Sequence, residues 1–148
     1  MEFTTLSTIM SRGENSISSR DLYVLQQPLV EQLIEWRDND NGDNNSTLTV
    51  DSILLSNDGK HVKITNASSD EVANIVSYGY ILLSIIDHST LHDKRLINIA
   101  QQCADGDVGN LETLHLMLER MVSSTIYKLL LAIIIIGLTI LAIFQIFH

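Results

Sequence analysis

The residues best able to do chemistry lie in small, separated groups. The run Asp38-Asn39-Asp40-Asn41-Gly42-Asp43-Asn44-Asn45 alternates carboxylates with amides, the donor type that a hard divalent cation takes. An EF-hand calcium loop places its glycine sixth and a glutamate twelfth. Here Gly42 comes one place early and the glutamate is missing, so the run reads as a solvated turn. The histidines His61, His88, His92, His115 and His148 are scattered. His88 and His92 would face the same way only if one helix ran through both, and Ser89 and Thr90 read as a cap between them. Cys103 has no histidine and acid at a recognisable spacing, which makes it a small buried hydrophobe. Tyr23 and Trp36 read as packing residues. Asn44, Asn45 and Asn66 each open an Asn-x-Ser/Thr glycan acceptor, which a cytosolic chain would never use. No catalytic, cofactor-binding or metal-binding set is expected.

The elements that would position these groups are mostly helical. Residues 1–20 are polar and without period, and read as a flexible N-terminal arm lacking the apolar run of a signal peptide. From Asp21 to Trp36, Leu22, Leu25, Leu29, Leu33 and Trp36 recur at spacings of three and four, an amphipathic helix that Pro28 either kinks or begins. Ile53-Leu54-Leu55 and Val62-Lys63-Ile64-Thr65, joined through Asp58-Gly59, predict a small β-hairpin. Val72 to Ile86 predicts a central buried helix, with further helices over Leu96 to Cys103 and Leu111 to Met121.

Leu129 to Phe147 reads LLLAIIIIGLTILAIFQIF, uncharged and, at about 1.5 Å per residue, long enough to cross a bilayer core. Arg120, Tyr127 and Lys128 flank its N-terminal side and only His148 follows, so the positive-inside tendency predicts a cytosolic body and a single-pass anchor. Insertion after synthesis, as in the tail-anchored class, is expected. The 148 residues carry 18 acidic and 9 basic side chains, a formal charge of −9 that offers no grip on nucleic acid. With one cysteine the chain can form no internal disulfide, which fits a reducing compartment.

The segment from Leu22 to Met121 resembles the C-terminal lobe of a eukaryotic protein kinase. Asn45-Ser46-Thr47-Leu48-Thr49-Val50-Asp51-Ser52-Ile53-Leu54-Leu55 is similar to the catalytic loop His-Arg-Asp-Leu-Lys-Pro-Glu-Asn-Ile-Leu-Leu, and Val62-Lys63-Ile64-Thr65-Asn66-Ala67-Ser68 to Val-Lys-Ile-Thr-Asp-Phe-Gly. Asn74-Ile75-Val76-Ser77-Tyr78-Gly79 resembles the Asp-Val-Trp-Ser-Tyr-Gly start of the lobe's buried pillar helix. Leu96 to Cys103 and Leu111 to Leu118 resemble its late helices. The resemblance implies lost chemistry: Thr47 stands at the catalytic aspartate, Ser52 at the metal-binding asparagine, Asn66 at the second metal-binding aspartate and Thr49 at the loop lysine. The segment between Ser68 and the pillar is too short for a substrate platform, and neither a glycine-rich phosphate loop nor a lysine-bearing strand precedes it.

The expected fold is therefore mainly α: a kinase C-lobe-like helical domain over 21–122 with a small β-hairpin, followed by a transmembrane tail anchor over 123–148. The expected function is that of a catalytically inactive, membrane-anchored module. Its expected partners are the lipid bilayer, through Leu129 to Phe147, and a protein, with a kinase or receptor as the candidate. The alternative is a tail-anchored regulator of cell death of the Bcl-2 type, against which the hairpin and the missing Asn-Trp-Gly-Arg-like motif both count. An enzyme ranks last, since no clustered acid, base or metal ligands can be assembled.

Overall fold

A computed structural model describes residues 2–90 and 92–147, the Ser19 side chain excepted; His148 falls outside this range. In chain order the elements are β1 (Phe3–Thr5), α1 (Leu6–Met10), α2 (Ser19–Val24), α3 (Gln26–Asp38), a 3-10 turn (Val50–Ser52), β2 (Ile53–Ser56), β3 (Val62–Ile64), α4 (Glu71–Asp87), α5 (Lys94–Ala104) and α6 (Leu111–Phe147). The fold is mainly helical, with a small three-stranded sheet and one long apolar C-terminal helix. The chain divides into two units, residues 1–118 and 119–148.

Local chemistry sets most of the boundaries in the first unit. The helix expected from Asp21 onward is two helices that meet at Leu25. Pro28 falls in the first turn of α3, where a residue without an N–H costs no intrahelical bond. Ser18 caps α2 by accepting from Asp21 N–H, Asp70 caps α4 by accepting from Val72 N–H at 2.9 Å, and Asp93 caps α5 by accepting from Arg95 N–H at 2.8 Å. The α4 cap ends the preceding loop and fixes which face of the helix turns inward. Leu29 and Leu33 of α3, Ile75, Tyr78, Leu82 and Ile85 of α4, Leu96 and Cys103 of α5, and Leu111, Leu114 and Leu118 of α6 form the core.

The hairpin forms as the sequence predicts, with Ile53 opposite Ile64 and Leu55 opposite Val62. Its turn is held by the Asp58 carboxylate, which accepts from the Ser56 hydroxyl and from Lys60 N–H. Gly59 adopts φ +69° there, a conformation that side chains resist.

The N-terminal arm is where the structure departs from expectation. Phe3, Thr4 and Thr5 pair antiparallel with Ser56, Leu55 and Leu54, adding a third strand to the hairpin. Leu6, Met10 and Ile17 are buried, and Ile17 N–H donates to the His88 carbonyl at 3.2 Å. A five-residue helix and a three-residue strand are too short to show a period, so apolar residues that anchor the segment look isolated in the sequence.

Residues 119–148 contain the rest of α6. Thr139 hydroxyl donates to the carbonyls of Ile135 and Ile136, so its polar group is satisfied within its own helix. The helix is long and apolar enough to cross a membrane, with a most apolar window of mean hydropathy 2.9, none of it buried.

Candidate functional site

The first unit has a cleft of about 270 Å³ between the N-terminal segment, α2 and the hairpin turn. Ile9, Ile17, Leu25 and Leu55 give it an apolar wall; Arg12, Asp21 and Asn57 line its polar side. Ser16 contributes a buried hydroxyl oxygen that has no hydrogen-bond partner among the described residues. Asp58 also borders the cleft, but its carboxylate is held below the usual range by the Ser56 hydroxyl first and Lys60 N–H second. That group is committed to the turn. The sequence reading missed this cleft because five of its twelve lining residues come from the segment read as a flexible arm; Ile9, Met10 and Ile17 were the available signal.

The positions singled out by the kinase resemblance lie on two segments, Thr47 to Ser52 before the hairpin and Asn66 after it. Thr47 and Asn66 are exposed, while Ser52 is buried. Ser52 hydroxyl and Thr49 hydroxyl lie 3.1 Å apart and cap the 3-10 turn reciprocally. Ser52 carbonyl accepts from Thr65 N–H at 2.9 Å, which locks this turn to the end of β3. Ser52 is thus spent on backbone geometry.

Asn74 is a buried polar group with a structural task. It is buried at the start of α4, its Oδ1 accepting from Ser68 N–H at 2.8 Å while its Nδ2 donates to Ser68 carbonyl at 2.9 Å. Both faces of the amide are satisfied, so the loop before α4 has one geometry. Gly42 backs the same residue: a Cβ there would come 2.5 Å from Ser68 carbonyl oxygen, so the Asp/Asn run packs against 68–69 instead of standing free. Within that run Asp43 lies below the usual carboxylate range because the Ser46 hydroxyl and Asn45 N–H bond to it. Asn44 Oδ1 accepts from Ser69 hydroxyl at 2.6 Å.

A charged cluster joins three helices. Arg37 at the end of α3 donates to both Glu112 oxygens, at 2.6 and 3.0 Å, and to Glu71 Oε1 at 2.9 Å. The same Glu71 oxygen accepts from Leu111 N–H at 2.7 Å, so one carboxylate satisfies the first turn of α6 and anchors the guanidinium. The Glu112 bond is the main reason the Arg37 guanidinium is held more strongly protonated than usual, and Glu112 is held below the usual range in return.

The remaining sequence candidates are separate. His88 is the C-cap of α4 and His92 lies beyond it, so no helix joins them. His115 stands 3.4 Å from Glu31, and His61 is exposed. Cys103 is buried, and burial pushes its thiol up to about 12. Tyr23 hydroxyl donates to Asp93 at 2.7 Å; Trp36 is half-buried, its indole N–H without a partner among the described residues. Among the described residues no three His, Cys, Asp or Glu side chains group as metal ligands would. Comparison of the chain with protein-family models, with curated proteins and with solved structures gave no match.

Proposed function

We propose that the chain is a non-catalytic binding module, similar to a kinase C-terminal lobe, held at a bilayer by its C-terminal helix and acting on a protein partner as scaffold, decoy or regulator. The observation that carries the membrane half is the side-chain surface of residues 129–147, where Leu, Ile and Phe are exposed all round the helix. Apolar area costs about 25 cal/mol per Å² in water, and a lipid core removes that cost along the helix's whole length. Arg120 and Lys128 on its N-terminal side favour a cytosolic body.

The kinase-like half is supported by the order of hairpin, buried pillar and late helices, and by Asn74, which stands at the family's pillar aspartate and ties α4 to the preceding loop. The loss of chemistry is supported by Thr47, Ser52 and Asn66, whose hydroxyl and amide groups are poor ligands for magnesium beside phosphates.

The 148-residue chain in lipid nanodiscs tests the reading. Magnesium-ATP at millimolar concentration is expected to leave the melting temperature unchanged, and a saturable rise would overturn the non-catalytic assignment. Alkaline extraction of membranes is expected to leave the chain in the pellet, and release would overturn the anchor. In a microsome translation Asn44, Asn45 and Asn66, all exposed, are expected to stay unglycosylated. A glycan on any of them would place the body on the lumenal side.

A further inference from the structure

Helix α4 is apolar on both of its faces, yet among the described residues of the first unit only one is covered. Asn74, Ile75, Tyr78, Gly79, Ile81, Leu82, Ile85 and Ile86 turn inward and are buried. On the opposite face Val72, Val76, Tyr80 and Leu83 follow one another at spacings of four, four and three, a single stripe about 17 Å long. Tyr80 is 62 % exposed and Val72 44 %, with Val76 and Leu83 half-covered between them. Ala73, Ser77 and Ser84 border the stripe with short side chains that would let another backbone come close.

The ends of the stripe carry charge of one sign. Asp70 stands at the N-terminal end, where it suits the helix dipole, while Glu71 turns to the covered side and is neutralised by Arg37. Asp87 stands at the C-terminal end, where the dipole disfavours it and no basic residue lies in the last turn. The Asp87 carboxylate is exposed, with no ion pair or hydrogen bond among the described residues. A solitary carboxylate added to the negative pole of a helix, at the end of an uncovered apolar stripe, calls for a cation supplied from outside the chain.

We infer that the outer face of α4 is the docking seat for an amphipathic helix of another protein, whose apolar side covers Val72, Val76, Tyr80 and Leu83 and whose Lys or Arg meets Asp87. This deepens the binding reading above by naming the face and the chemistry of the partner. A second copy of the chain is disfavoured, because antiparallel pairing sets Asp87 against Asp70, and parallel pairing sets Asp87 against Asp87. An anionic lipid surface meets the same repulsion.

The test uses the full chain in neutral phosphatidylcholine nanodiscs and two dye-labelled 18-residue helical peptides, one of Leu and Lys and one of Leu and Glu, with empty-disc binding subtracted. Saturable binding is expected for the Leu/Lys peptide alone. Tyr80→Ser is expected to weaken it about tenfold without changing net charge, and Asp87→Asn about threefold at low salt, whereas Phe3→Ser on the sheet leaves it unchanged. A photoreactive phenylalanine at position 80 is expected to crosslink the peptide. Absence of saturable binding, equal binding of the Leu/Glu peptide, or equal affinity in wild type and Tyr80→Ser would overturn the docking face. The ATP and extraction results are independent of it, so its failure is distinguishable from failure of the kinase-like, membrane-held reading.

Discussion

The Tyr78 hydroxyl donates to Gln26 Oε1 at 2.7 Å, and both side chains are essentially closed to solvent. Gln26 Nε2 in turn donates to the Leu22 carbonyl at 2.7 Å, so the amide bridges the α2–α3 junction to the central helix. Tyr78→Phe keeps the packing and leaves Oε1 buried without a donor, an imbalance that costs about 1–3 kcal/mol. The expected result is a melting temperature lower by about 4 °C or more, followed through Trp36, the single tryptophan. A melt within a degree of wild type would mean that water replaces the phenol.

Gly79 lets α4 and α5 approach closely. A Cβ at this position would lie 2.7 Å from Ala100 carbonyl oxygen and 2.8 Å from Cys103 Cβ, and the first of these is backbone that cannot swing aside. Gly79→Ala normally gains about 1 kcal/mol in a helix interior, but here overpacking reverses the sign by about 1–3 kcal/mol. Equilibrium urea unfolding should show a lower midpoint. A stabilised variant would show that α5 yields without cost.

The Arg37 cluster predicts an order of effects. Glu112 is well exposed, so Glu112→Ala removes a screened pair and is expected to cost under about 1 kcal/mol. Glu71→Ala removes the partner of both the guanidinium and Leu111 N–H and is expected to cost about 1–2 kcal/mol. Glu71→Gln should recover part of that loss, since the amide oxygen still accepts from the N–H. Equal costs for the two alanine variants would remove the capping role from Glu71.

Asp93 and Tyr23 set a pH dependence with a definite sign. Burial acts to raise the Asp93 carboxyl, but hydrogen bonds from Arg95 and Tyr23 outweigh it and bring it to about 2. A folded value below the ordinary one means that this contribution is complete above about pH 4 and is lost as pH falls toward 2. Tyr23 is raised to about 12, by burial first and the Asp93 bond second. Its contribution is complete below about pH 10 and is lost between 10 and 12. Tyr23→Phe should move Asp93 upward in a carbon-detected NMR titration; an unmoved Asp93 would assign its shift to Arg95 alone.

The parts of the fold legible in the sequence were those with enough residues to show a period or a strong turn signal. The Asp58-Gly59 hairpin, the α4 span and the apolar run after Lys128 are of that kind. The N-terminal strand was not, because Phe3–Thr5 gains its partners from Ser56, Leu55 and Leu54, about fifty residues away, and three residues carry no pattern. The Leu25 break was half visible through Pro28, which offered a kink or a helix start without choosing. The Arg37 cluster was invisible, since its charges lie on three helices whose mutual placement no spacing encodes. The uncovered α4 stripe is the reverse case: the span from Val72 to Ile86 reads as one central buried helix, and only the structure separates its covered face from the open one at Val72, Val76, Tyr80 and Leu83.

Cys103 supplies a measure of how firmly the α4–α5 pair is closed. Its side chain has no solvent exposure, and burial pushes the thiol up to about 12, so neither access nor thiolate is present in the folded chain near neutral pH. Alkylation must then wait for an opening that exposes α5, and its rate should follow the open population instead of the intrinsic reactivity of a free thiol. A maleimide at pH 7 is expected to label the wild type at least about a hundredfold more slowly than it does in urea, the least that an opening free energy of a few kcal/mol implies. Gly79→Ala, which pushes on Cys103 itself, is expected to raise the rate more than Glu112→Ala, which perturbs α5 only through the global balance. Fast labelling of the wild type would mean that α5 opens at little cost, and equal rates in the two variants would mean that the thiol is reached by global unfolding alone.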